Sequence, residues 1–128
     1  MSANLMATFY QACTLFNALP QGNNLAALDL LLHHDVIMKK IDDAQHALLG
    51  KPAVSGYLGG KGKTDNAQFN PIGTPDSAET FNVGLVWGPA QWKDKAAATT
   101  TFNIEYSFAF RKDTSGNWLI QLLWAAIV

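Results

Sequence analysis

At 128 residues and a formal net charge of −1, the chain has the length of one domain, 1–128, and lacks a basic footprint for nucleic acid or an anionic membrane. Hydrophobic residues make up 48% and charged ones only 15%, well under the roughly 25% usual for soluble chains. Some apolar surface is therefore expected to meet another subunit.

The first basic residue is Lys39, which speaks against a positively charged secretory leader. No apolar run approaches the ~20 residues needed to span a bilayer. Cys13 is the single cysteine, so an intrachain disulfide is excluded and a reducing, cytoplasmic compartment is the expectation.

Residues 2–19 place Leu5, Phe9, Ala12, Cys13 and Phe16 on one stripe at spacings of three and four, which predicts an amphipathic helix. Ser2 or Asn4 suits its N-cap, and Pro20-Gln21-Gly22 ends it. Asn23 or Asn24 suits the cap of a second, short helix carrying Leu25, Leu28, Leu31 and Leu32, closed by His33-His34-Asp35. Val36 to Ile41 reads as a strand, Asp42-Asp43 as a turn, and Gln45 to Leu49 as a return strand. Gly50-Lys51-Pro52 opens a third helix with Val54, Tyr57 and Leu58 on its stripe, and Gly59-Gly60 stops it.

From Lys61 to Ser77 the chain is rich in Gly, Pro, Asn and Asp, with room for one short strand near Gln68 to Ile72, and is expected to be mobile. Glu79 to Gly88 reads as a strand with Phe81, Val83, Leu85 and Trp87 on one face, and Pro89 to Asp94 as a turn. Gly84 and Gly88 on the other face mark a bend or bulge. Phe102, Ile104, Tyr106, Phe108 and Phe110 then alternate with Asn103, Glu105, Ser107, Ala109 and Arg111, an unbroken period of two. A turn at 112–117 leads to the apolar segment Trp118 to Val128. Continuing the same alternation turns Trp118, Ile120, Leu122 and Trp124 inward, and Leu119, Leu123 and Ile127 outward.

Helix, helix, strand, helix and then several antiparallel strands make an α+β pattern. Four phrases carry a more specific likeness. They are Leu30-Leu31-Leu32-His33-His34-Asp35-Val36, Leu49-Gly50-Lys51-Pro52-Ala53-Val54, Val86-Trp87-Gly88 to Trp92-Lys93-Asp94, and Phe108-Ala109-Phe110-Arg111-Lys112 through Gly116-Asn117-Trp118-Leu119-Ile120. Together they cover nearly the whole chain, and in their order and spacing it resembles the NTF2-like superfamily, which includes SnoaL-like cyclases and ketosteroid isomerase. The resemblance implies a cystatin-like cone, about three N-terminal helices packed in a strongly curved, mostly antiparallel sheet with an apolar pocket at its mouth. It also implies a homodimer through the outer sheet face, and the outward row on the last strand supports this independently.

The isomerases of that family need a carboxylate base near the end of the first strand and buried donors facing the substrate carbonyl. An ungapped count puts Lys40 at the base position and Tyr106 at that of the neutral carboxyl donor. The first-helix tyrosine position falls on Phe16, with Tyr10 nearby. Steroid isomerase activity is therefore not expected. Tyr106, Lys40 and, with the strand shifted by two, Asp42 are the catalytic candidates for an enzyme of the cyclase, isomerase, dehydratase or hydrolase type. Tyr10, Phe16, Tyr57, Trp87, Tyr106 and Trp124 are the candidate lining of a pocket for a small hydrophobic molecule. Each also has a plain structural reading, as a core residue, a turn residue or a snorkelling lysine, and a non-catalytic association module is the third possibility.

No metal site or cofactor is expected. His33-His34-Asp35 lacks a second ligand cluster at suitable spacing. Gly59-Gly60-Lys61-Gly62-Lys63 follows a helix rather than a strand, so it reads as a flexible exit and not a phosphate loop. Cys13, on the helix stripe without a basic neighbour, reads as a small hydrophobe.

Overall fold

Helix α1 spans Leu5–Asn17 and buries the expected stripe of Leu5, Phe9, Ala12, Cys13 and Phe16. Asn4 caps it, its Oδ1 accepting from the N–H groups of Met6 (2.8 Å) and Ala7 (3.4 Å), two of the donors that a helix start leaves unpaired. The computed structural model describes residues 4–22, 24–41, 43, 45–94 and 100–128. The alternative caps Ser2 and Asn23, and the candidate Asp42, lie outside those described residues.

Helix α2, Asn24–Asp29, is shorter than the leucine pattern suggests. Leu32, His33, His34 and Asp35 belong instead to strand β1, Leu32–Lys39. The N–H of Ile120 donates to Leu31 O at 2.7 Å and Leu32 pairs with Ile120, so contact with the distant last strand overrides the local helical period. The histidines therefore do not close a helix, and Lys40 falls just past the strand end.

Strand β2 (Ala47–Leu49) returns antiparallel to β1, and helix α3 (Lys51–Gly59) follows. Pro52 stands in its first turn, where no intrahelical N–H is required. Gly59-Gly60 does not stop this helix: it widens into a π-turn, Gly60–Thr64. The segment read as a mobile connection thus holds that turn, strand β3 (Gln68–Pro71) and strand β4 (Asp76–Glu79).

Strand β5 runs from Val83 to Asp94, straight through the Pro89 expected in a turn. β4 pairs with its first part at Gly84 to Trp87 and β3 with its second at Ala90 to Lys93, both along one edge. Pro89 falls at the junction, where its missing N–H removes no ladder bond and its carbonyl accepts from Ile72 N–H at 3.0 Å. Strands β6 (Thr100–Lys112) and β7 (Trp118–Ile127) complete the sheet.

The strand order is β2-β1-β7-β6-β5-β3, with β4 beside β3 on β5. β1 and β7 run parallel; the remaining pairs are antiparallel. The expected α+β class is met. Among the described residues no helix is long and apolar enough to cross a membrane.

Two faces differ from expectation. On β5 the buried side is Gly84, Val86, Ala90 and Trp92, while Val83, Leu85 and Trp87 are exposed. The inner face carries glycine because α1 presses on it: a Cβ on Gly84 would lie 2.7 Å from Leu5 Cδ2. On β7, Trp118 and Ile120 point in as expected, but the pairing register shifts between Ala109 and Phe110, leaving Gln121 as the extra residue. Past that bulge the alternation inverts, so Leu123 and Ala125 are buried and Trp124 is 37% exposed. β6 keeps its expected face: Ile104, Tyr106 and Phe110 are each about 1% exposed.

Candidate functional site

Between α1, the end of β1, α3 and the inner face of β5 to β7 lies a cavity of about 70 Å³. Cys13 and Phe16 of α1 and Met38 of β1 border it, with Leu58 of α3, Phe69 of β3 and Trp92 of β5. Phe108 of β6 and Leu123 of β7 close the far side, and Lys39, Ile41, Trp124 and Ala125 form the end where β1 stops. Phe16 and Trp92 stack at 5.6 Å between ring centroids, which fixes one wall. For scale, an apolar cavity of roughly 150 Å³ holds a benzene ring; this hollow takes something smaller, a chain of a few carbons.

The lining is almost free of proton-transfer chemistry. Burial pushes the Cys13 thiol up to about 12, so it is neutral and inert at ordinary pH. Among the described residues no carboxylate borders the cavity, and the single ionisable ammonium there is Lys39.

Of the residues singled out from sequence, Phe16 and Trp124 border the cavity. Tyr106 does not. It sits one layer behind, parallel to Phe9 at 5.6 Å and edge-on to Phe69 at 5.1 Å. Its hydroxyl points at the backbone of Gly88, 3.5 Å from where a Cβ there would be. That hydroxyl is buried without a hydrogen-bond partner among the described residues, and desolvation raises its pKa well above the ordinary tyrosine value. Tyr106→Phe should therefore leave stability unchanged or raise it by up to about 1 kcal/mol, because a buried, unpaired hydroxyl costs free energy. Chemical denaturation measures this; a loss above about 1 kcal/mol would mean that the hydroxyl is paired in solution.

Lys40 also lies off the cavity wall, its Nζ 3.9 Å from Asp43 Oδ2 and 5.8 Å from the centre of the Tyr57 ring. Lys61, on the π-turn, approaches the same ring at 6.0 Å and pairs with Asp65 at 3.5 Å. Tyr57 is thus a platform for two ammoniums beside the cavity rather than part of its lining. Tyr10 is 45% exposed, edge-on to Phe9. Trp87 is on the opposite face of the sheet from the cavity, a correction that follows from the β5 alternation.

His33, His34 and Asp35 bring possible ligand atoms within 4.8 Å of one another on β1. The set is engaged with itself: Asp35 N–H donates to His33 Nδ1 at 3.1 Å, and His34 Nε2 lies 3.1 Å from Asp35 Oδ2. Reasoning from sequence missed Met38, Lys39, Ile41, Phe69 and Trp92 as cavity residues. Trp92 shares parity with Val86 and Ala90, a signal available once Pro89 is allowed inside an edge-paired strand.

No protein-family model and no curated protein matches the chain in sequence. Its shape does match solved structures. A protein with a cystatin-like fold from Caulobacter vibrioides superposes with a TM-score of 0.79 at 11% identity, covering 97% of this chain and 87% of that one. An NTF2-like protein with a cystatin-like fold from Novosphingobium aromaticivorans gives 0.72 at 13% identity, covering 95% and 78%. The chain has the NTF2-like fold. A ketosteroid isomerase-like protein from Erwinia carotovora atroseptica shares that fold at a TM-score of 0.72 and 15% identity, covering 97% and 93%. Such identities speak for the NTF2-like architecture and leave the chemistry to this chain's own residues.

Proposed function

We propose that this NTF2-like protein binds a small apolar molecule in the cavity of its cone, as a homodimer joined through the outer sheet face, without itself catalysing a reaction. The observation that carries the reading is the lining. A hollow bounded by Phe16, Met38, Phe69, Trp92, Phe108 and Leu123 gains free energy by exchanging water for hydrocarbon, and among the described residues offers no acid–base pair to do chemistry on it. Lys40 and Tyr106, off the wall, do not argue for an enzyme; Asp42 is outside the described residues. A single buried cysteine with an inert thiol fits a cytoplasmic setting.

The homodimer draws its support from the outer face. Leu49, Ile37, Leu122, Ala109, Leu85 and Ala78 stand opposite one another from strand to strand, one apolar row across the sheet. Ile37 is 39% and Leu85 44% exposed, with Trp87 at 37% one row over. An apolar row of this length is self-complementary about a two-fold axis.

Ala12 borders the cavity from α1, and Ala12→Leu fills it with a good helix former. With millimolar 1-hexanol as probe, the melting temperature of the natural protein should rise, since a ligand bound to the folded state stabilises it. Ala12→Leu should melt within a few degrees of the natural protein and gain nothing from the alcohol. Equal gains in both proteins would place binding elsewhere. Sedimentation velocity on the same samples should give twice the monomer mass; a monomer at tens of micromolar would remove the homodimer.

A further inference from the structure

Lys39 sits where β1 ends and the cavity meets β7, and its ammonium is unusually committed to neutral partners. Nζ donates to the carbonyl of Ala125 at 3.0 Å and of Lys40 at 3.2 Å, and lies 5.6 Å from the ring centre of Trp124. An ammonium has three donors, so one N–H remains. Nearby Lys40 and Lys61 each have a carboxylate, Asp43 and Asp65, whereas no carboxylate pairs with Lys39 among the described residues. A partly buried lysine usually turns its head to water. This one is folded back onto the strand end, beside two more cavity residues, Trp124 and Ala125.

An ammonium with no carboxylate partner among the described residues, at the rim of a hydrocarbon-lined hollow, favours a ligand that brings its own negative charge. Resting on the binding reading above, we infer that the ligand is a small apolar carboxylate, its chain among Cys13, Phe16 and Leu123 and its carboxylate on the remaining N–H of Lys39. The cavity volume of about 70 Å³ sets the size of the buried part at a few carbons. The carbonyls of Ala125 and Lys40 hold Nζ in place, so little side-chain freedom is lost when the anion arrives.

Hexanoate, 1-hexanol and hexylammonium present one chain with three heads. Titrated calorimetrically or by amide NMR shifts, the natural protein should bind hexanoate about tenfold more tightly than hexanol, the worth of one charge-assisted hydrogen bond. Hexylammonium should bind weakest. Raising the salt concentration should shrink the hexanoate advantage. Lys39→Met keeps an apolar stem and should bring hexanoate and hexanol to equal affinity. Equal affinities in the natural protein, or a hexanoate preference that survives in Lys39→Met, would overturn the inference while hexanol binding kept the cavity reading. If neither molecule binds the natural protein, both fall together. The head-group series on the natural protein decides the matter even if the variant fails to fold.

Discussion

Asn17→Ala is expected to cost about 2–4 kcal/mol of stability, although the side chain removed is a polar one at a helix end. Its amide acts as a one-residue strand partner for the outer edge of β3: Phe69 N–H donates to Asn17 Oδ1 at 2.8 Å, and Asn17 Nδ2 donates to Phe69 O at 2.9 Å. Gln68 Nε2 completes the clasp by donating to the Asn17 carbonyl at 3.0 Å. Both Phe69 backbone groups are part-buried, so alanine leaves a donor and an acceptor unpaired rather than returning them freely to water. Asn17→Asp keeps the acceptor for Phe69 N–H but sets a second acceptor against Phe69 O, so it should not restore the lost stability. Urea unfolding gives the energies, and hydrogen exchange at the Phe69 amide gives the local opening. Phe69 borders the cavity, so hexanol affinity should fall with it. Unchanged stability together with a still-protected Phe69 amide would show that β3 is held by β5 alone.

That clasp also shows where legibility in the sequence ends. The stripe of α1 and the alternation of β6 were readable because each repeats one period over many residues, and one face of each is truly dry. Asn17 carries no such signal: its partner lies 52 positions away, and an asparagine ahead of Pro20 looks like ordinary helix-end chemistry. β7 misled for a different reason. Its residues are apolar on both faces, so nothing local betrays the bulge at Gln121, and every side chain beyond it is assigned to the wrong side. β5 misled because Pro89 read as the start of a turn and Gly84 and Gly88 as a bend or bulge. They serve instead a gap between two edge partners and the close approach of α1.

The β5 parity changes which tryptophan borders the hollow, and packing on the correctly read inner face of β6 decides the place of Tyr106. Trp92 borders the cavity, Trp87 lies on the opposite face of the sheet, and Tyr106 sits one layer behind the cavity wall. Small inner residues on β5 let α1 settle deep against the sheet at Gly84, and the unfilled space remains at the other end, beside Trp92 and Lys39. The cone is thus packed at one end and hollow at the other, a division set by side-chain volume along a single strand.

Gly62→Ala is expected to destabilise the protein by about 3 kcal/mol, the upper part of the range for overpacking a filled interior. A Cβ at that position, in the π-turn, would overlap Leu19 Cδ1 and meet its Cβ at 2.7 Å and Cγ at 3.0 Å. Leu19 has no room to yield, being fully buried just past the end of α1. The wider π-turn brings its backbone against that leucine, and Lys61 over Tyr57 depends on the same turn. The mechanism is separable from a mere preference for glycine. Leu19→Ala alone opens a cavity and should cost about 2–5 kcal/mol, but adding Gly62→Ala to it should cost less than Gly62→Ala does by itself, since the overlap with Cδ1 and Cγ is gone and only the 2.7 Å approach to Cβ remains. A double-mutant cycle measures the coupling, expected to favour the pair by about 1 kcal/mol or more. Additive losses would show that glycine is needed there for backbone freedom, and the Leu19 contact would lose its place in the account of how α3 is joined to the core.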